Sequence, residues 1–217
     1  MQNSKLVIIG AGGHGKKMAD LATLMKYNLL GFLSMDTPDC IIYNLKVLGI
    51  PELMLTDEFA GKIFFHIAIG ENSVRYKILN KLGNEHMLAT LISPYATVSP
   101  NVIIGNGTSI NHNSVIQTSV RIGKCCIVDT GAIIDHDCVI GDFANIYPGT
   151  VLTGTVNVGN GAIIGAGSVI REKVYIGENT LIGAGSVVVN DIEPNVVAYG
   201  NPARVIRKRD FTDKYLR

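Results

Sequence analysis

Residues 128–170, VDTGAIIDHDCVIGDFANIYPGTVLTGTVNVGNGAIIGAGSVI, carry an aliphatic residue at every sixth position. The spacing continues outward in both directions, from residue 92 to residue 188, without an insertion. The members of the series are Ile92, Val98, Ile104, Ile110, Ile116, Ile122, Val128, Ile134, Ile140, Ile146, Leu152, Val158, Ile164, Ile170, Ile176, Ile182 and Val188. A period of six fits neither an amphipathic α-helix nor a coiled coil. It is typical of a parallel β-helix built from hexapeptide repeats, whose coils bury a shared core.

A second inward position is predicted four residues after each aliphatic residue, where the side chain is again small or aliphatic, as at Ala132, Cys138 and Ala144. Three hexads make one triangular coil in this repeat class. The seventeen hexads therefore predict between five and six coils.

Residues 1–90 predict a small α/β unit, because strand patterns alternate with helical ones. The predicted elements are a strand at 5–9, a glycine turn at 10–15, a helix at 16–27, a strand at 29–33, an irregular segment with one short helix at 36–62, a strand at 63–70, and a helix from Asn72 or Ser73 to about Leu82. We therefore predict a Rossmann-like half-domain at 1–90. A β-helix with a short C-terminal tail is predicted at 91–217.

Composition and charge exclude several classes of function. The 217 residues carry a net charge of +1, which provides no general attraction for nucleic acid or a membrane surface. No apolar run reaches transmembrane length, and the apolar run at 5–9 is too short for a signal-peptide core. The four cysteines have no metal-ligand spacing, and Cys126 and Cys138 occupy inward repeat positions. We expect a cytoplasmic protein with reduced thiols.

The first candidate site is the glycine turn, in which Gly10, Gly12 and Gly15 satisfy GxGxxG between a strand and a helix. Such a turn lets the backbone approach phosphates, so a nucleotide-sugar site, a dinucleotide site and a purely structural turn are all compatible with it. Asp36 lies near the position of the ribose-binding acid of a dinucleotide fold. His14 either projects toward a ligand or caps the helix.

The second candidate site is Asp135-His136-Asp137-Cys138. The repeat register points Ile134 and Cys138 inward and leaves His136 at a corner or on the outer face. Neighbouring carboxylates raise the pKa of a histidine and suit it to act as a general base toward an amine or hydroxyl. A solvated histidine with ordinary acidic neighbours is the alternative.

The sequence gives less support to a metal site, a cysteine nucleophile or a role for the basic C-terminal segment. The β-helix holds only His112 and His136, whereas catalytic zinc normally takes three protein ligands, so we expect no metal site. A cysteine nucleophile is not expected, because Cys138 should be buried. The basic segment 204–209 either contacts the phosphates of coenzyme A or is a solvated tail.

Four segments together resemble one family, the sialic acid O-acetyltransferase / bacillosamine N-acetyltransferase family of sugar acyltransferases. They are GAGGHG (10–15), IAIGEN (67–72), DHDCVIGDF (135–143) and GNPA (200–203), in the family's order along nearly the whole chain. The resemblance implies a left-handed β-helix, a homotrimer and an active site between adjacent subunits. It also implies acetyl-CoA as donor and a nucleotide-linked amino sugar, held by the N-terminal domain, as acceptor.

The resemblance also implies roles for individual residues. His136 matches the catalytic base and Asp137 the acid that tunes it. The implied substrate-binding residues are Gly12, Gly13, His14 and Gly70, to which we add Asp36. Gly154, Ala166 and Ala184 match positions that line the coenzyme A groove. Pro202 and Asn145, which stands where some members carry a second histidine, complete the set expected at coenzyme A.

The sequence therefore predicts an N-acetyltransferase that acts on a nucleotide-linked amino-deoxy sugar of the 4-amino-4,6-dideoxy class, for surface glycan or glycoprotein synthesis. Direct transfer with His136 as general base is the expected mechanism. O-acetylation of a sugar, as in the sialic acid enzymes, is an alternative within enzymes. A non-catalytic subunit that binds sugar nucleotides is an alternative from another class.

Overall fold

The computed structural model describes residues 4–35, 41–42, 44–56, 59, 63–83 and 87–214. The chain divides into two compact units, which meet in sequence between Pro94 and Tyr95. Among the described residues, no helix is both long and apolar enough to cross a bilayer. The assignment of separate roles to residues 1–90 and 91–217 stays a prediction.

The first unit is an α/β sheet with helices packed against it. Its elements are β1 (Lys5–Ile9), α1 (Gly13–Leu24), β2 (Asn28–Leu33), β3 (Ile41–Ile42), β4 (Leu45–Gly49), a 3-10 helix (Pro51–Leu55), β5 (Phe64–Ile67), α2 (Asn72–Leu82), β6 (Met87–Leu88) and β7 (Leu91–Ile92). The sheet order is β3-β4-β2-β1-β5-β6. All pairs are parallel except β3 with β4.

The central strand β1 is buried on both faces, which explains its continuous apolar run. Leu6 and Ile8 pack with Met18 and other residues of α1, whereas Val7 and Ile9 face the opposite core. That second core includes Leu82 of α2. The alternating β1 side chains therefore pack in the core with α1 on one face of the sheet and in the core with α2 on the other.

Three details of the first unit differ from the predicted elements. Helix α1 begins at Gly13 and not at residue 16, so the second half of the glycine turn is already helical. Strand β4 lies inside the segment predicted to be irregular, where Val47 is its buried residue. Strand β5 ends at Ile67, since the chain leaves the sheet before Gly70. Helix α2 matches its prediction and ends at Leu82, before Gly83, whose φ of +65° suits a glycine stop.

The second unit is the predicted left-handed parallel β-helix. Its two-residue strands recur every six residues: β8 (Thr97–Val98), β9 (Ile103–Ile104), β10 (Ser109–Ile110), β11 (Val115–Ile116), β12 (Arg121–Ile122), β13 (Ile127–Val128), β14 (Ile133–Ile134), β15 (Val139–Ile140), β16 (Asn145–Ile146), β17 (Val151–Leu152), β18 (Asn157–Val158), β19 (Ile163–Ile164), β20 (Val169–Ile170), β21 (Tyr175–Ile176), β22 (Leu181–Ile182) and β23 (Val187–Val188). Two longer strands, β24 (Val196–Gly200) and β25 (Ala203–Lys208), follow as an antiparallel pair.

The strands of the second unit form three sheets, one for each side of the coil. Face one contains β10, β13, β16, β19, β22, β24 and β25. Face two contains β8, β11, β14, β17, β20 and β23, and face three contains β9, β12, β15, β18 and β21. Paired residues are 18 positions apart, as in Ile134 with Leu152 and Leu152 with Ile170. Each hexad position therefore stacks on the same position of the next coil.

The aliphatic series forms the core of the β-helix. From Ile110 to Val188 every member is at most 3% exposed. At the corners from Gly107 to Gly185 the third residue after the inward aliphatic one has positive φ, as at Gly131, Asp137 and Thr155, where φ is +68°, +60° and +63°. The corner geometry imposes this conformation on glycine and non-glycine residues alike.

Two arginines of the basic C-terminal segment make contacts within the protein. Arg209 is 2% exposed, and its guanidinium donates to the carbonyl oxygen of Asn179 at 2.8 Å and to the Asn179 side chain at 2.6 Å. Arg207 forms an ion pair with Asp213 at 2.7 Å. Arg204 and Lys208 are exposed, and their predicted contact with coenzyme A phosphates stays a prediction.

Because Ile146 is completely buried, we expect Ile146→Ala to lower the free energy of unfolding by about 2–5 kcal/mol, through lost burial and the cavity that remains. Urea unfolding followed by circular dichroism measures the change. The matched control is Ile103→Ala, since Ile103 points outward from face three and is 59% exposed. Equal losses in the two variants would contradict the register described above.

Candidate active site

His136 occupies the middle of the corner that joins β14 on face two to β15 on face three. Hydrogen bonds join the backbone of this corner to the preceding coil and to the following coil. The Asp135 N–H donates to the Leu152 carbonyl at 2.9 Å and the Asp137 N–H donates to the Thr118 carbonyl at 3.1 Å. The His136 carbonyl accepts the Thr155 N–H at 2.8 Å, so the imidazole extends from a fixed backbone.

The two carboxylates beside His136 make different contacts. The Asp135 Oδ1 accepts the backbone N–H of His136 at 2.8 Å, while the Asp137 Oδ2 lies 2.9 Å from the imidazole Nδ1. A carboxylate can only accept, so Nδ1 carries the proton in this bond. In the neutral ring, Nε2 is then the nitrogen with a lone pair.

The carboxylates also set the basicity of the ring. The hydrogen bond to Asp137 is the main cause of a raised His136 pKa, and the charge of Asp135 adds to it. The side chain is 52% exposed, so water or a substrate can reach it. The arrangement suits general-base catalysis: an oriented imidazole, a fixed tautomer and a raised pKa.

Cys138 does not take part in this arrangement. Its side chain points inward as predicted and is fully buried, and its thiol donates to the Thr153 carbonyl at 3.2 Å. Desolvation raises the thiol pKa to about 11. A buried thiol with a pKa this high is a poor nucleophile, so the geometry disfavours an acyl-cysteine intermediate.

In the first unit, the predicted residues lie at the carboxyl ends of parallel strands, where α/β sheets bind ligands. Gly10 follows β1 and donates its N–H to the Leu33 carbonyl of β2 at 2.8 Å. A Cβ on Gly10 would lie 2.7 Å from the Ala68 carbonyl oxygen after β5. The loops after β1 and β5 are therefore in contact, and Gly10 is required for their close approach.

The remaining glycines of the turn divide into two kinds. A Cβ on Gly15 would collide with the Gly10 carbonyl, so Gly15 is required for packing. A Cβ on Gly12 or Gly13 would meet nothing within 4 Å, and neither residue has positive φ. Packing within the described residues therefore does not explain Gly12 or Gly13. Both are exposed at the start of α1, beside the half-buried His14.

The loop at Gly70 is anchored by Arg75, a residue that the sequence analysis missed. The Arg75 side chain is 1% exposed, and its guanidinium donates to the carbonyl oxygens of Ile69 at 2.8 Å and Gly70 at 2.9 Å. Arginine on a helix ordinarily faces solvent, so this role could not be predicted from the sequence. Nearby His66 is buried, and desolvation lowers its pKa to about 4, so it is neutral and structural.

The other predicted residues are distributed over the second unit. Gly154 lies at the corner next to His136, where an added Cβ would be 2.6 Å from the imidazole Nε2. Ala166 and Ala184 are exposed and stack one coil apart at the edge between faces one and two. Pro202 is exposed in the β24–β25 turn.

Asn145 lies on β16 of face one, away from the His136 corner in the coil. It is fully buried, and its amide lies 3.3 Å from the Tyr147 hydroxyl. Its expected contact with coenzyme A stays a prediction, and Asp36 lies outside the described residues. Across the described ranges, no group of three or more His, Cys, Asp or Glu side chains is arranged to hold a metal.

Family models match both units of the chain. Residues 5–82 match the PglD N-terminal domain, and residues 155–190 match the bacterial transferase hexapeptide (six repeats). A curated relative, UDP-N-acetylbacillosamine N-acetyltransferase of Bacillus subtilis (strain 168), is 34% identical over 108 residues. That match covers 48% of this chain and spans only half the length of the relative.

Solved structures match over nearly the full length. The acetyltransferase domain of PglB from Neisseria gonorrhoeae FA1090 is 35% identical, with a TM-score of 0.89, over 94% of this chain and 100% of that chain. A variant of perosamine N-acetyltransferase from Caulobacter crescentus, in complex with CoA and GDP-perosamine, is 33% identical, with a TM-score of 0.87, over 94% of this chain and 97% of that chain. With this identity along almost the whole of both structures, the chain belongs to the family of hexapeptide-repeat sugar acyltransferases that contains the bacillosamine and perosamine N-acetyltransferases.

Proposed function

We propose that this protein transfers the acetyl group of acetyl-CoA to the amine of a nucleotide-linked amino-deoxy sugar. The observation that carries the proposal is the exposed His136 imidazole, with Nδ1 bonded to Asp137 and Nε2 left as the basic nitrogen. The relatives support the choice of substrates, since one binds CoA together with GDP-perosamine and the PglB domain binds acetyl coenzyme A. A 4-amino-4,6-dideoxy sugar is the acceptor class that we propose, in a pathway of surface glycan or glycoprotein synthesis.

The chemistry requires one proton to be moved. A sugar ammonium must lose a proton before or during its attack on the thioester carbonyl, and His136 Nε2 is placed to accept it. The new C–N bond forms as the C–S bond breaks, and the coenzyme A thiolate takes up a proton. Asp137 holds the imidazole in the required tautomer and stabilises the imidazolium that forms.

We place the acceptor nucleotide at the carboxyl ends of β1 and β5. Gly12 and Gly13 leave open space beside the first turn of α1, and the N-terminus of a helix favours phosphate oxygens. His14 and Gly70 border the same strand ends, and Arg75 fixes the Gly70 carbonyl. Asp36 retains its proposed place after β2.

We further propose that the enzyme is a homotrimer, with face two at the subunit contact. From β11 to β23 the outward residues of face two form an aliphatic ladder of Val115, Ile133, Val151, Val169 and Val187, and Thr97 of β8 precedes it. The corresponding ladder on face three is interrupted by Arg121 and Asn157. A continuous apolar strip of this kind is typical of a subunit interface.

Face two also lies between the two groups of predicted site residues. His136 and Gly154 lie on its edge with face three, and Ala166 and Ala184 lie on its edge with face one. A partner subunit on face two would therefore border both edges, where we propose the coenzyme A groove. Contacts of Pro202 and Asn145 with coenzyme A remain part of the proposal.

Two other functions remain as alternatives. The same base could deprotonate a sugar hydroxyl, which would give O-acetylation. The names of the curated relative and of the perosamine enzyme favour transfer to nitrogen. A non-catalytic binding subunit would not require the bonded His136–Asp137 pair. We propose a cytoplasmic location, because the described cysteines Cys125, Cys126 and Cys138 form no disulfide.

We expect His136→Ala to lower kcat by about 10²–10⁴ and to leave acetyl-CoA binding nearly unchanged, because only the general base is removed. A thiol-release assay with acetyl-CoA and a panel of nucleotide amino sugars measures kcat. Cys138→Ala is the control and should retain turnover. Near-normal turnover of His136→Ala would rule out this mechanism.

Asp137→Asn should lower kcat less, by roughly tenfold, because the base remains. Its pH profile provides a second check. The base must be neutral, so kcat/KM falls as the pH falls through the raised His136 pKa. Removing the Asp137 charge lowers that pKa, and the acidic limb should move to lower pH. A shift to higher pH would contradict the assigned role of Asp137.

We expect Gly12→Val to raise the KM for the nucleotide sugar far more than the KM for acetyl-CoA. The new side chain would fill the open space beside α1 without a clash inside the protein. His14→Ala should act in the same direction. Asp20→Val, at an exposed position further along α1, is the control for a β-branched residue on this helix. Equal rises in both KM values would place the acceptor elsewhere.

We expect light scattering at micromolar concentration to give the mass of a trimer. Val169→Asp should dissociate it, because a carboxylate would be buried without a partner. The matched control is Val139→Asp on face three, since Val139 is 42% exposed and Val169 is 38% exposed. A monomeric wild-type protein would overturn the trimer. Dissociation by Val139→Asp alone would place the contact on face three.

A further inference from the structure

Gly154 is the exception among the glycines of the β-helix corners. Each corner has a first, a middle and a third residue after the inward aliphatic one. From residue 106 to residue 184 the middle position holds Asn106, His112, Thr118, Lys124, Thr130, His136, Asp142, Pro148, Gly154, Asn160, Ala166, Glu172, Glu178 and Ala184. The fold therefore accepts a side chain at this position, and only Gly154 lacks one.

The usual reasons for a glycine do not apply to Gly154. It does not have positive φ, unlike the third corner residues Gly131, Gly149 and Gly167. First corner residues such as Gly141 and Gly159 are close to the backbone or side chains of the next coil. At Gly154 the nearest atoms to an added Cβ belong instead to the His136 ring, at 2.6 Å from Cε1, 2.6 Å from Nε2 and 3.4 Å from Cδ2.

We propose that Gly154 is a positioning residue for His136, because its missing side chain is the space in which the imidazole lies. This inference rests on the proposed function for its catalytic meaning. The Gly154 backbone is fixed, since its carbonyl accepts the Lys173 N–H at 3.0 Å and the next N–H, of Thr155, donates to the His136 carbonyl at 2.8 Å. The ring, which is half-exposed at the end of a side chain, is the part that would move.

The consequence is a geometric constraint on the base. In the observed position the ring makes its Nδ1 bond with Asp137 and has its Nε2 edge against Gly154. A methyl group at residue 154 would turn the ring outward and displace Nε2 together with the Asp137 bond. The charged groups around this edge are Asp135 and Asp137 on its own corner and Arg171, Glu172 and Lys173 on the corner beyond Gly154.

The test combines Gly154→Ala with His136→Ala in a double-mutant cycle. We expect Gly154→Ala to keep the wild-type melting temperature, since an exposed side chain can move away. Its kcat should fall by about 10²-fold, the loss typical of a misplaced catalytic group. In the His136→Ala background the same substitution should cause no further loss of kcat.

A nuclear magnetic resonance titration of the His136 ring tests the position without requiring turnover. In Gly154→Ala the ring should titrate at lower pH than in the wild type, because its bond to Asp137 is lost. Thr118→Ala is the control, because Thr118 occupies the same corner position one coil earlier and its hydroxyl bonds to Asn101 at 3.0 Å. This variant should leave the His136 titration unchanged.

The possible outcomes separate the two hypotheses. An unchanged His136 titration in Gly154→Ala would overturn the positioning role. So would a loss of kcat in the His136→Ala background as large as the loss in the wild type, which would assign the glycine a role independent of the histidine. Normal turnover of His136→Ala with a shifted titration in Gly154→Ala would overturn the proposed mechanism and leave the positioning role intact.

Discussion

The stacking of residues 18 positions apart is the constraint on which the rest of the β-helix depends. Each coil contributes one hydrogen bond per strand residue to the next, and the buried aliphatic series prevents a slip. A shift by one residue would turn Ile134 outward and Ile133 inward, and it would do so at every strand of the face. Because the register is fixed by so many equivalent positions, a corner residue can be held to within the tolerance that catalysis requires.

The corner at His136 shows how the proposed catalytic pair is held by the β-helix without a special backbone conformation. Asp137 takes the positive-φ conformation that the corners from Gly107 to Gly185 share, and aspartate tolerates it better than most residues. The same conformation brings its carboxylate to the imidazole Nδ1. The reactive pair therefore uses a backbone geometry that the fold already requires, and no strained loop is needed to present it.

The parts of the structure that the sequence predicted are those with a repeating physical cause. The inward positions of the β-helix, the exposed His136 and the buried Cys138 all follow from one period, and each was found where expected. The start of α1 was misplaced because glycine is a poor helix former by propensity, whereas Gly13 and Gly15 are held in the helix by its packing on the sheet. Arg75 was missed because its partners are backbone carbonyls of a loop. Every residue has a backbone carbonyl, so the sequence does not show which of them accept a side-chain hydrogen bond.

The glycines show that residues of one sequence motif can have different structural roles, which only the geometry distinguishes. In the sequence Gly10, Gly12, Gly13 and Gly15 form one motif, yet two of them are required by contacts inside the protein and two are not. In the β-helix, Gly154 is one glycine among many, but it is the one whose Cβ would meet an imidazole. A glycine that neither its φ nor the neighbouring backbone explains indicates space reserved for another group. At Gly12 and Gly13 we propose that the acceptor nucleotide takes this space, and at Gly154 the imidazole of His136 lies in it.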